Sequence, residues 1–133
     1  MNKTIHHIGL FSRDPEKLVE FYTDQLDFER LGTKTISKDW MTRIFDLPAE
    51  CQLIKLQSGP LILEIFSCPE SELNGRGNRA IGYNHWGMGV EEKKSFVQEL
   101  EGKGVPVLKL KGKDHFIYFI KDPEGNLIEI YQG

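Results

Sequence analysis

The fold of this chain is decided by its last turn and strand, Asp122-Pro123-Glu124-Gly125-Asn126 running into Leu127-Ile128-Glu129-Ile130-Tyr131. The first five residues are turn formers: Asp and Asn bond the local backbone, Pro fixes φ, and Gly tolerates a positive one. The next five alternate, so they predict a strand with Leu127, Glu129 and Tyr131 on one face. The same pattern stands earlier as Leu61-Ile62-Leu63-Glu64-Ile65-Phe66, with Ile62, Glu64 and Phe66 sharing a face. Two opening strands match in the same way, because His7-Ile8-Gly9-Leu10 has the form of His85-Trp86-Gly87-Met88. Self-similarity at both ends of each half predicts an internal duplication.

Between those ends the halves fill in alike. Thr4 to Phe11 reads as a strand that stops at Ser12-Arg13-Asp14-Pro15, where Asp14 suits an N-cap and Pro15 the first helical position. Leu18, Phe21, Tyr22 and Leu26 then line one side of an amphipathic helix, with Glu16, Lys17, Glu20 and Asp24 on the other. Asp27 to Ser37 is predicted as a strand and Asp39 to Ala49 as a loop or short helix. Cys51 to Gln57 and Leu61 to Phe66 form a hairpin about Ser58-Gly59-Pro60. In the second half Gly82 to Val90 is a strand, and Glu92 to Glu101 is a helix carrying Phe96, Val97 and Leu100, ended by Gly102 and Gly104. Val105 to Leu110, His115 to Lys121 and Leu127 to Tyr131 complete it as strands. Each half is therefore βαβββ, and the expected class is α+β: a single domain over 1–133 made of two modules, about 1–68 and about 80–133.

Composition limits what such a chain does. With 133 residues, 39% hydrophobic and 28% charged, it has material for one domain and not two full-sized ones. Seventeen Lys and Arg against twenty Asp and Glu give a formal charge of −3, without the basic block that nucleic acid or an anionic membrane surface attracts. The longest apolar runs, Leu61 to Phe66 and Phe116 to Ile120, fall far short of the ~18 residues of a membrane span. Met1-Asn2-Lys3-Thr4 leads directly into the first strand without the apolar stretch of a secretory signal, so a soluble, cytoplasmic protein is expected. Its two cysteines, Cys51 and Cys68, lack a Cys-x-x-Cys spacing and are expected as reduced core or surface thiols.

Strand alternation places Ile5, His7, Gly9 and Phe11 on one face and His6, Ile8 and Leu10 on the other, so His6 is expected to point away from His7. Likewise Tyr83, His85, Gly87 and Gly89 face away from Trp86, Met88 and Val90, and each histidine has a glycine two places on that leaves room beside the imidazole. Glu64 and Glu129 sit between large apolar neighbours. Burying a bare carboxylate costs about several kcal/mol unless Arg or Lys pairs it or a metal takes it. A lone strand histidine is ordinarily a hydrogen-bonded core or surface residue and a lone strand glutamate a solvated one. Four such residues in matching registers favour ligation. If the two sheets curve round a common cavity, His7, Glu64, His85 and Glu129 form a divalent-ion shell with open positions for water or substrate, suiting Ni, Co, Mn, Fe(II) or an expanded Zn site. His115 is placed at a loop edge and Tyr118 among packed aromatics. Arg30, Lys34, Arg43, Lys111 and Lys113 are read as solvated cations within possible reach of an acidic substrate group.

These segments resemble the vicinal oxygen chelate superfamily, which includes glyoxalase I, methylmalonyl-CoA epimerase, extradiol dioxygenases and fosfomycin or bleomycin resistance proteins. The resemblance spans the chain and rests on His7-Ile8-Gly9-Leu10, Asp14, Phe21-Tyr22, Leu63-Glu64-Ile65-Phe66, His85-Trp86-Gly87-Met88-Gly89-Val90 and, most strongly, Asp122 to Glu129. It implies an incomplete barrel around a divalent metal held by His7, Glu64, His85 and Glu129. Epimerases place Gln where Glu64 stands, and dioxygenases and fosfomycin enzymes use three ligands matching His7, His85 and Glu129. Glu64 therefore points to a lyase or isomerase of glyoxalase type, in which Glu64 or, by preference, Glu129 takes a carbon-bound proton from a small substrate with vicinal oxygens and gives a metal-bound enediolate. Glyoxalase I follows its first glutamate with Thr and Asn, whereas Ile65, Phe66 and Ser67 stand here, so a glutathione hemithioacetal substrate is not implied. Two alternatives stay open: an Fe(II)-dependent ring-cleaving dioxygenase using His7, His85 and Glu129, and an antibiotic-resistance, drug-binding protein without catalysis. Relatives commonly form homodimers, and the site closes either within one chain or across two.

Overall fold

In the computed structural model, which describes residues 1–75 and 79–133, the chain divides into two units, Met1–Gly75 and Arg76–Gly133. In the first unit Asp14 caps the opening helix as its position predicts, its Oδ1 accepting from the Lys17 amide at 3.3 Å, with Pro15 in the first turn. The elements run β1 (His7–Ser12), α1 (Pro15–Glu20) prolonged by a π-helical turn (Phe21–Gln25), β2 (Glu29–Ile36), α2 (Lys38–Phe45), β3 (Cys51–Ser58) and β4 (Leu61–Ser67). They form a four-stranded sheet in the order β1-β4-β3-β2, with β1 parallel to β4 and the other neighbours antiparallel. Leu18 of α1 and Tyr22 of the π-helical turn are fully buried, as are Leu63 and Ile65 of β4, against which α1 packs. One face of the sheet is thus closed by the helix, and the face bearing His7 and Glu64 is left for other uses.

The second unit repeats this order with β5 (His85–Val90), α3 (Lys93–Gly102), β6 (Val107–Lys111), β7 (Phe116–Lys121) and β8 (Leu127–Gln132). Its sheet runs β5-β8-β7-β6, again with the first and last strands parallel. Val97 and Leu100 of α3 are buried with Ile120, Ile128 and Ile130 of the sheet. The two βαβββ units are as the sequence predicts.

α2 resolves the segment that the pattern leaves open. Ser37 Oγ accepts from the Trp40 amide at 3.2 Å, Met41 is fully buried, and left-handed Asp46 (φ 53°) ends the helix. A cap, buried Met41 and the packing of Phe45 on Phe11 and Phe66 hold so short a helix. The thiols are a correction: Cys51 and Cys68 are joined in a disulfide with their Cα atoms 4.7 Å apart. Gln52 pairs with Ser67 across β3 and β4, so the next residues outward, although separated by 17 in sequence, meet across the hairpin.

The turn before β8 is held by one side chain. Asp122 is buried, its Oδ1 accepts from the amides of Glu124 and Asn126 at 2.9 and 3.0 Å, and its Oδ2 accepts from Asn126 Nδ2 at 2.8 Å. Gly125 takes φ 86° to let the chain reverse. Asp122→Ala strands those donors and is expected to lower stability by about 2–4 kcal/mol in urea unfolding. An unchanged midpoint would mean that Gly125 and strand pairing alone hold the turn.

Candidate metal centre

In the first unit the parallel pairing of β1 and β4 sets Gly9 opposite Glu64 and His7 opposite Ile62. The second unit repeats it, with Gly87 opposite Glu129 and His85 opposite Leu127. Paired residues share a face, so in each unit imidazole and carboxylate are diagonal neighbours and the glycine puts no side chain between them. His7 Nε2 lies 3.4 Å from Glu64 Oε1, and His85 Nε2 lies 3.5 Å from Glu129 Oε1. The carboxylates are largely covered, at 14% and 25% exposure, while the rings stay open at 47% and 40%.

Each ring is also anchored at its other nitrogen by the residue before it. Asn84 Oδ1 meets His85 Nδ1 at 2.5 Å, and His6 Nδ1 meets His7 Nδ1 at 2.9 Å, so His6 turns toward His7 rather than away. Alternation failed there because β1 begins only at His7. A carbonyl oxygen only accepts, so His85 Nδ1 donates to Asn84, and the neutral ring then turns its Nε2 lone pair toward Glu129. Two acceptors facing each other repel until a proton or a cation stands between them. Both separations exceed the ~2.7–3.2 Å of a good N–H···O bond. Imidazole nitrogen and carboxylate oxygen, with the second ring nitrogen bonded to the Asn84 carbonyl at His85 and to the His6 ring at His7, is a donor arrangement that zinc, nickel, cobalt, manganese or iron(II) accepts. Each unit by itself supplies one such pair, and within neither does a third His, Cys, Asp or Glu among the described residues complete a set.

Comparison with known proteins agrees with this architecture. The family model for the Glyoxalase/Bleomycin resistance protein/Dioxygenase superfamily matches residues 4–130. The chain belongs to this superfamily. It is 27% identical to the uncharacterized protein YwkD of Bacillus subtilis (strain 168) over 135 residues, covering 98% of this chain and 97% of YwkD. A glyoxalase family protein from Enterococcus faecalis superposes with a TM-score of 0.78 at 23% identity, covering 98% of each chain. The trypanothione-dependent glyoxalase I of Leishmania major gives a TM-score of 0.73 at 22% identity, covering 98% of this chain and 87% of that one.

Around the two His–Glu pairs of this superfamily member the surroundings differ. In the first unit Lys55 stands directly opposite Glu64 across β3 and β4, and its Nζ is 3.7 Å from Glu64 Oε2. The rings of Phe11, Phe45 and Phe66 cluster on the same side, with centroids 5.1, 5.7 and 5.5 Å apart. In the second unit Phe119 occupies the place opposite Glu129, and its ring meets His85 at 5.4 Å. Sequence reading missed Lys55. Counting back from the hairpin, where Ser58 pairs with Leu61, would have set residue 55 against residue 64.

The other named cations lie elsewhere. Arg30 pairs with Glu16 and Arg43 with Asp39, each at 3.7 Å, while Lys34, Lys111 and Lys113 are exposed. His115 lies in the loop before β7, its carbonyl accepting from the Gly112 amide at 2.8 Å. Tyr118 is buried, stacked on Phe116 at 6.1 Å, and pairs with Ile130 on the face opposite Glu129. The anchor on His85 has a spectroscopic consequence. Long-range proton–nitrogen spectra above the ordinary imidazole range are expected to show His85 as the Nδ1–H tautomer, shifting toward Nε2–H, donating to Glu129, in Asn84→Ala. An unchanged tautomer in that variant would mean that Asn84 does not set it.

Proposed function

We propose that this protein is a divalent-metal-dependent lyase or isomerase of glyoxalase type, with His7, Glu64, His85 and Glu129 as ligands of a zinc, nickel, cobalt, manganese or iron(II) ion. The observation that carries this reading is the repetition of one His–Glu pair, at 3.4 and 3.5 Å, in identical strand registers of two units. The bound cation would supply Lewis acidity to adjacent oxygens of a small substrate. The protein's own residues supply the rest.

Glu129 is the proposed base. Glu64 has Oε1 toward His7 and Oε2 toward the Lys55 ammonium, whereas the described contact of Glu129 with His85 involves Oε1. An oxygen held by an ammonium is not available to take a proton, and one beside an apolar ring is. Glu129 thus takes the carbon-bound proton and returns it to the neighbouring carbon, with Phe119 paired beside it. Phe11, Phe45 and Phe66 suit the apolar part of a substrate. Exposed Leu31 on β2, Leu108 and Leu110 on β6, and Trp40 and Ile44 on α2 support a homodimer as the working assembly. No helix among the described residues is long and apolar enough to cross a membrane.

Protein purified without a metal-affinity column is expected to carry about one divalent ion per chain by elemental analysis. Glu64→Gln and Glu129→Gln should each weaken nickel binding by about 10–100-fold. With hydroxyacetone as probe and nickel restored to saturation, Glu129→Gln should abolish deuterium exchange at the hydroxymethyl carbon while Glu64→Gln retains part of it. Exchange unaltered in both variants would remove the proposal.

A further inference from the structure

Beside each carboxylate the duplicated halves diverge, and the divergence is one of charge. The residue paired with Glu129 is Phe119, and the residue paired with Glu64 is Lys55. Both positions lie on the strand next to the glutamate and on the face of the imidazole, so the backbone scaffold is the same and only the side chain differs. Fold stability does not ask for a cation here: Glu129 sits in the equivalent place with an aromatic neighbour, and a partly exposed lysine–carboxylate pair contributes little, about 0–1 kcal/mol. Lysine is also a poor strand former.

From this we infer that Lys55 is a specificity-determining residue that selects a substrate bearing a carboxylate beside its vicinal oxygens. The inference rests on the divalent-ion reading above. When Glu64 gives its charge to a cation, the Lys55 ammonium loses its countercharge and this face of the first unit becomes net positive. Lys55 Nζ stands 3.7 Å from Glu64 Oε2, beside the carboxylate that the cation would engage. Gly9, across Glu64 on the other side, adds no side chain to obstruct an incoming group. A neutral hydroxyketone would leave the ammonium without a partner, whereas a 2-oxo or 2-hydroxy acid brings the carboxylate that replaces Glu64 as its counter-ion. Phe119, in the equivalent place beside Glu129, offers no such partner.

Calorimetric titration of nickel-loaded protein with oxalate and with acetohydroxamate tests this. Both chelate through adjacent oxygens, but oxalate is a dicarboxylate whereas acetohydroxamate carries no carboxylate. Lys55→Gln is expected to weaken oxalate about tenfold and acetohydroxamate less than about threefold, with nickel stoichiometry unchanged, and Lys55→Arg to keep oxalate binding within about threefold of wild type. An equal loss for both probes, or no loss for oxalate, overturns the inference while leaving the metal reading intact. Wild-type protein that takes up no nickel, cobalt, manganese or zinc removes the metal reading and this inference with it.

Discussion

The parallel pairing of the first and last strand in each unit is the constraint on which the candidate centre depends. It sets a glycine opposite each glutamate, and so places the histidine two residues earlier as the carboxylate's diagonal neighbour. The register is enforced from the other face. Leu63 and Ile65 flank Glu64, Ile128 and Ile130 flank Glu129, and all four are buried against the helix side of their sheets. A slip by one residue would drive a carboxylate into that core and expose two large aliphatic chains, at a cost of about 1.5–3 kcal/mol for each of them before the charge is counted. The precision of the polar pair is therefore a property of the apolar packing behind it.

Strand alternation and turn chemistry made the architecture legible in the sequence. Asp14-Pro15 announces its helix, Asp122 to Asn126 its turn, and the alternating runs at Leu61 and Leu127 their strands, because each signal is local. What escaped depends on which residues meet across strands or beyond an element's end. α2 forms on one side-chain cap and on the packing of Met41 and Phe45 against residues distant in sequence. The Cys51–Cys68 bond and the Lys55–Glu64 contact both arise from hairpin register, which follows from where Ser58 pairs with Leu61. His6 was misplaced because alternation was carried one residue beyond the start of β1. The His–Glu pairs were legible for the opposite reason: duplication turned a long-range contact into a repeated local pattern.

Duplication also explains how the two pairs acquire different chemistry without different backbones. The register fixes ligand type and spacing, and the residues around it are free to vary. Asn84 and His6 hold equivalent places before the two histidines, yet they constrain them differently. An amide carbonyl accepts only, so it commits His85 to one tautomer and directs a lone pair at Glu129. Between His6 and His7 either ring can be the donor, so this contact does not fix the tautomer of His7.

This difference runs parallel to the one across the sheet. The first unit joins an adaptable imidazole to a carboxylate with its other oxygen on a lysine, whereas the second joins a committed imidazole to a carboxylate beside a phenyl ring. A reaction that removes a proton from one carbon needs one carboxylate held fast and one that can let go, because two equally held groups would bind well and turn over poorly. The His–Glu geometry is common to both units, and positions 55 and 119 are where the residue facing each glutamate differs between them.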